Sequence, residues 1–316
     1  MTKPNIGAKG IAMVFLAFTL AACERSQPVH LARLERVVFD TPTAELREEL
    51  SRRRAEFDTP LLNIDPDDGQ YMQMLADFAA DPGMRYVYGK VDSLYGDLQW
   101  LEKELGQALA RTDAVHYDGF YTLVSGDFED YSHRVFCSDH ELAISLDHYA
   151  VGELHAGVPA YIVRLCQRQY IAGDCMAAIA RAHIAAPEGE PTLLDYAVAE
   201  GKVLYFLEQT LPSTHDTILL RYSGDQLRWM QKNVEQVWGW LIENRMLYSH
   251  DYGQYHNLVD EAPKTNAFGE GSAPRTLAYI GWQIVKQYMK KSNISTEELF
   301  AQTDSRKILT QSGWRP

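Results

Sequence analysis

The chain has 316 residues, 46% hydrophobic and 23% charged, with 43 acidic against 30 basic side chains and a formal net charge of −13. That length and composition suit one large folded domain or two small ones and exclude wholesale disorder. The acidic balance leaves no basic footprint for general nucleic-acid binding, and four cysteines are too few for a disulfide scaffold.

The chain opens on a targeting pattern. Lys3 and Lys9 precede an apolar run over residues 11–22 that only Thr19 interrupts. The run is too short to span a bilayer as a helix but fits the core of a signal peptide. It ends Leu20-Ala21-Ala22-Cys23, which resembles a bacterial lipobox. The expected outcome is cleavage before Cys23 and diacylglyceryl on its sulfur. Residues 1–22 are then a lipoprotein signal peptide, 23–31 a lipidated tether and 32–316 a single domain. Losing the two lysines takes the charge to about −15. No later stretch is long and apolar enough to be a membrane helix, so the expectation is a lipid-anchored protein of the cell envelope, on either membrane and either side. Cys137, Cys166 and Cys175 remain. They are an odd number without CxxC spacing, and buried free thiols are favoured over any pairing.

Residues 34–39 alternate and are β-branched, which predicts a first strand. Residues 43–57, dense in Arg and Glu, predict a solvated helix. A short helix over residues 71–80 is stopped by Asp81-Pro82-Gly83, and Asp92 is placed to cap a helix running to Ala110. The period then changes. Residues 120–124 and 141–146 predict strands, with a hairpin connection over 126–140. From Ala160 the pattern is helical to the end. Thr192/Asp195, Ser223/Gln226 and Ser295/Glu298 each have capping-box spacing. Pro274 can start a helix carrying Leu277, Ile280, Ile284 and Tyr288, closed by Lys290-Lys291. The fold class is α+β, a small, mostly antiparallel sheet with a larger helical part.

One carboxylate is out of place. Leu193, Ala197, Leu204 and Leu207 share a helical face, and Glu200 sits between them on it. An unpaired buried charge costs several kcal/mol, so Glu200 needs a partner: a metal, a cation or a ring of donors. Lys202, two residues on, faces away and is not that partner. Gly201 leaves room for another element to approach closely. His140, Asp147, His148 and His155 read as a polar loop rim rather than a metal site, and His250, Asp251, Tyr252 and His256 as surface residues. Trp229, Trp238 and Trp240 are expected to serve the core rather than a partner.

The stretch around Glu200 also carries a resemblance. Thr192-Leu193-Leu194-Asp195, Glu200-Gly201-Lys202-Val203-Leu204-Tyr205-Phe206-Leu207 and Leu211-Pro212 resemble the gliding-motility lipoprotein family GldB. In order with them come Ile144-Ser145-Leu146-Asp147-His148-Tyr149, Pro159-Ala160-Tyr161-Ile162, Leu247-Tyr248-Ser249 and Gly281-Trp282-Gln283-Ile284-Val285-Lys286. Ser312-Gly313-Trp314-Arg315-Pro316 closes the series, so the likeness covers nearly the whole mature chain. It implies an envelope lipoprotein of Bacteroidetes-like bacteria, associated with gliding motility and secretion machinery. It further implies a distant likeness to zinc metallopeptidases, in which an HExxH helix precedes a helix bearing a third ligand at the position of Glu200.

The chain departs from that pattern where it matters. No HExxH occurs, and the helix before Glu200, over residues 172–184, has His183 as its only histidine. With His183 as second ligand, the first would be Ile179 and the base Ala180, neither of which can serve. Glu200 and His183 are thus a vestigial site on a peptidase-like scaffold without catalytic residues or cofactor. The expected function is a non-catalytic interaction module with protein partners in the envelope, held at the membrane through Cys23. The alternatives are a zinc-dependent hydrolase with rearranged ligands that keeps Glu200, and a simple binding protein with a ligand pocket near Glu200.

Overall fold

The computed structural model describes residues 26–131, 134–154 and 157–316. The expected signal peptide and Cys23 lie outside them. A two-residue strand β1 (Ala32–Arg33) leads at once into helix α1 (Leu34–Asp40), where a strand was expected. Strand alternation would put Glu35, Val37 and Phe39 inside and Val38 outside. The helix buries all four, and the Glu35 carboxylate accepts from Arg33 Nε at 2.5 Å and Thr122 Oγ1 at 2.7 Å.

The helix expected over residues 43–57 is split into α2 (Leu46–Arg52) and α3 (Arg54–Phe57), with the Arg53 guanidinium folded over the Phe57 ring at 4.9 Å. Helices α4 (Gly69–Ala80) and α5 (Pro82–Tyr95) follow. Asp81-Pro82 both stops the first and starts the second: Asp81 accepts from the Met84 N–H, and Pro82 takes the first helical position, where no N–H is needed. Asp92 is therefore not a cap. It lies inside α5 and pairs with Arg36 at 3.0 Å. Helix α6 (Gln99–Leu109) comes next.

Strands β2 (Gly119–Leu123), β3 (Val135–Cys137) and β4 (Glu141–Ser145) complete a sheet of order β1-β2-β4-β3. The expectation of a mostly antiparallel sheet is corrected. β1 with β2 and β2 with β4 are parallel, and only β3 and β4 are antiparallel. The tight turn falls one strand later than expected, where the Ser138 N–H donates to the Glu141 carbonyl at 2.9 Å. That turn puts β3 on the outer edge and leaves the other edge of β4 to β2. Side chains alternate, so Phe120, Leu142 and Ile144 enter the large core while Tyr121 and Ala143 enter a second, smaller one. A sheet buried on both faces suits parallel pairing.

A turn at Leu146–Ala150 opens the helical part: α7 (Val151–Leu154), α8 (Ala160–Leu165), α9 (Ile171–His183), α10 (Leu193–Thr210), α11 (Asp216–Leu219), α12 (Gly224–Glu243), α13 (Tyr252–Tyr255), α14 (Thr276–Ser292), α15 (Thr296–Ala301) and α16 (Ser305–Ser312). All three capping boxes form, at Thr192, Ser223 and Ser295. The three tryptophans are half-buried against the large core, Trp238 edge-on to Trp314 and Trp229 and Trp240 against Phe268. Cys137 is half-buried, Cys166 and Cys175 are buried, and all three are free thiols.

Helices α10 and α14 make the most extensive helix contact. They cross at glycine: a Cβ on Gly201 would lie 2.3 Å from the Gly281 carbonyl, the close approach that Gly201 suggests. Lys202 is not the partner of Glu200, as its offset of two implies; it is 2% exposed, its Nζ donating to the Gln302 carbonyl at 2.5 Å from under α15. Burial pushes its pKa down to about 8 from 10.5. Below pH 8 the fold carries the cost of a buried ammonium, and the cost is relieved as pH rises from 8 to 10.5. Lys202→Met should therefore be more stable than wild type at pH 7, by about 3 kcal/mol at most, with the gap closing by pH 10.5. Urea denaturation of both proteins across that range reads the difference.

Candidate functional site

Glu200 is 16% exposed on α10, and its partner is a pair of cations. Arg181, on α9, donates to Oε1 at 2.9 Å and Oε2 at 3.0 Å. Arg275, which precedes α14, donates to Oε2 at 2.8 Å. Burial alone would raise the Glu200 carboxyl, but Arg181 and then Arg275 outweigh it and hold its pKa below the ordinary value. Arg275 is itself fixed by the Leu220 carbonyl at 2.9 Å and the Val259 carbonyl at 3.3 Å.

These groups line a cavity of about 400 Å³, and a second ionic cluster forms another wall of it. Arg134, just before β3, donates to Asp174 at 3.3 Å and Glu261 at 2.7 Å. Arg221, before α12, donates to the same two carboxylates. The Tyr149 hydroxyl donates to Asp174 at 2.7 Å. Arg134 and Arg275 are each 6% exposed and Arg221 13%. Burial raises and Arg221 and Arg134 lower the Glu261 carboxyl, for a net fall to about 2. Arg221 moves down to about 10, because burial and the nearby Arg134 and Arg275 outweigh Glu261. Arg221 and Arg275 also hold left-handed backbone, φ 61° and 51°, which L-residues with long side chains rarely adopt. A general base works best with a pKa near 7, and the arginines push Glu200 and Glu261 the other way.

The face of α9 toward this cavity is Asp174, Ala178 and Arg181, at helical offsets of four and three. Ile179 and Ala180 are instead fully buried in the large core. His183 does not join Glu200: its Nδ1 lies 3.0 Å from the Ile179 carbonyl of its own helix and its ring tilts against Tyr117. Among the described residues no group of three or more His, Cys, Asp and Glu is placed to hold a metal ion.

The expected polar rim is corrected at two positions. Asp147 and His148 are buried, because the chain after β4 turns inward at Leu146–Ala150. Asp147 accepts from the Ser125 and Gly126 N–H groups at 3.1 and 3.0 Å and from the hydroxyls of Ser125 and Ser145. His148 Nε2 meets the Asp127 carbonyl at 2.5 Å. His140 is exposed and His155 lies outside the described residues. His250, Asp251 and His256 are exposed as expected; Tyr252 is half-buried, its hydroxyl donating to Asp260 at 2.5 Å on the wall of the cavity. Arg134, Asp174, Arg221, Glu261 and Arg275 were not singled out in the sequence. Asp174 had the same signal as Glu200, an acid within the buried stretch of a helix, whereas the others sit in connections without periodicity.

A family model described as gliding motility protein GldB matches residues 21–316, nearly the whole chain. The chain belongs to the GldB family. No curated protein and no solved structure matches it. Membership points to an envelope lipoprotein of gliding motility. Among the described residues of this GldB-family chain, no helix is long and apolar enough to cross a membrane.

Proposed function

We propose that this GldB-family chain is a lipoprotein cleaved before Cys23, anchored by the lipid on that sulfur, and that its domain is a non-catalytic interaction module of the gliding and secretion machinery. The observation that supports the non-catalytic reading most directly is the pairing of Glu200. Both of its oxygens are taken by guanidiniums, and the α9 face opposite offers Asp174, Ala178 and Arg181 in place of two imidazoles. On a peptidase-like scaffold, Arg181 and Arg275 would supply the positive charge that a zinc ion supplies elsewhere.

The lipid anchor is tested by Cys23→Ala in the full chain. Wild type should partition into the detergent phase and incorporate a labelled fatty acid, and the variant should do neither; a variant that still incorporates label overturns the anchor. The alternative, a zinc-dependent hydrolase that keeps Glu200, is tested by elemental analysis of the purified protein. The expected result is less than stoichiometric zinc, unchanged by Glu200→Ala. One zinc per chain that disappears with Glu200→Ala would overturn the non-catalytic reading.

A further inference from the structure

We propose that the arginine–carboxylate cavity binds a small zwitterion, a free α-amino acid or a short peptide carrying both its ammonium and its carboxylate. The proposal goes beyond the lipoprotein reading, and its failure would leave that reading standing.

Charge balance is the first argument. The cavity is lined by four guanidiniums, those of Arg134, Arg181, Arg221 and Arg275, and by four carboxylates, those of Asp174, Glu200, Asp260 and Glu261. A ligand with net charge of either sign would leave an uncompensated ion in a poorly solvated place. A zwitterion leaves the balance unchanged.

Unspent hydrogen-bonding capacity is the second. Arg181 bonds Glu200 through Nε and Nη2, and Arg221 bonds its carboxylates through Nη1 and Nη2. That leaves Arg181 Nη1 and Arg221 Nε without a protein acceptor among the described residues. On the acid side, Glu261 accepts through Oε1 and Asp260 through Oδ2. Glu261 Oε2 and Asp260 Oδ1 therefore have no protein donor there. The Arg181 side chain is half exposed, and Arg221 Nε, Glu261 Oε2 and Asp260 Oδ1 are not among the fully buried atoms without a partner, so none of the four is shown to be sealed off. Donors are thus available for a carboxylate and acceptors for an ammonium, on residues that line one cavity.

Rigidity is the third. Arg134 is tied to the Tyr131 carbonyl at 2.6 Å and Arg275 to two backbone carbonyls, so these groups are ordered before any ligand arrives. Arg221 and Arg275 are placed by left-handed backbone that a turn alone would give to glycine or asparagine. The volume of about 400 Å³ falls within the range of small-molecule sites.

Isothermal titration of the full chain with the common free α-amino acids and with glycyl dipeptides tests the assignment. At least one should bind saturably at one site. Its N-acetyl and C-amide derivatives should each bind about tenfold more weakly or worse. Arg181→Gln and Asp260→Asn should weaken it similarly; both side chains stand nearer the solvent than Arg134 or Arg275, and unchanged thermal unfolding would show that each variant folds. No saturable binding by any amino acid or dipeptide overturns the proposal. So does binding indifferent to loss of either ligand charge, and so does equal binding of inorganic phosphate.

Discussion

Gly281→Ala is expected to lower stability by about 3 kcal/mol or more, a loss reserved for changes that force the backbone itself to move. A Cβ at residue 281 would lie 1.7 Å from the Ala197 carbonyl oxygen and 2.5 Å from its carbon. A flexible side chain could rotate away from such a contact, but the obstacle here is the backbone of α10. Gly201→Ala meets the same crossing from the other side, 2.3 Å from the Gly281 carbonyl. The damage should reach the cavity, because Glu200 precedes Gly201 and Arg275 stands at the head of α14. Parting the helices draws apart a carboxylate and guanidinium that lie 2.8 Å from each other. Gly239 supplies the control. It lies inside α12 with nothing within 4 Å of its missing Cβ, so Gly239→Ala should stabilise by up to about 1 kcal/mol. Urea midpoints of the three variants read the contrast, and a Gly281→Ala protein as stable as wild type would mean that the helices do not cross as described.

The helical part was legible because its signals are local. A hydroxyl three residues before an acceptor fixes a helix start whatever the rest of the chain does, and Thr192, Ser223 and Ser295 all behave so. The sheet was less legible because strand order is a long-range property. Residues 120–124 and 141–146 were identifiable as strands, but nothing within either tells it to pair directly and in parallel with the other although a third strand intervenes in the sequence. Residues 34–39 show propensity yielding to burial: the alternation is present, but a helix buries Glu35 and Val38 together. At the site, Glu200 announced that it needed a partner but not which. Arg275 is 75 residues further on, and Arg134 and Glu261 are 127 apart, so the cavity is assembled by the fold and not by any motif. The offset of two keeps Lys202 from Glu200, but its cover by α15 and the flanking turn is a long-range feature that no local spacing shows.

Asp174→Ala should cost about 3–5 kcal/mol, comparable with the helix-crossing change but for an electrostatic reason. The substitution leaves Arg134 and Arg221 nearly buried, each with one carboxylate fewer, and takes the acceptor from the buried Tyr149 hydroxyl. The loss measures the penalty of stranded charge rather than the net worth of the pairs. Removing charge symmetrically should therefore repair it. In Asp174→Leu combined with Arg134→Met, Arg221 keeps Glu261 and the cluster stays neutral, so much of the lost stability should return. A double-mutant cycle on positions 134 and 174 reads this as a coupling well above 1 kcal/mol. The exposed Arg52–Glu49 pair on α2 sets the scale, since Arg52→Ala should leave the urea midpoint close to that of wild type. If Asp174→Ala proved as mild as Arg52→Ala, the cluster would have to be far better solvated than its burial indicates. If the double variant proved as unstable as the single one, Asp174 would matter through Tyr149 and packing rather than through its charge. A recovery of this kind would show that the ions in this wall are costly to strand singly but contribute little net stability as pairs.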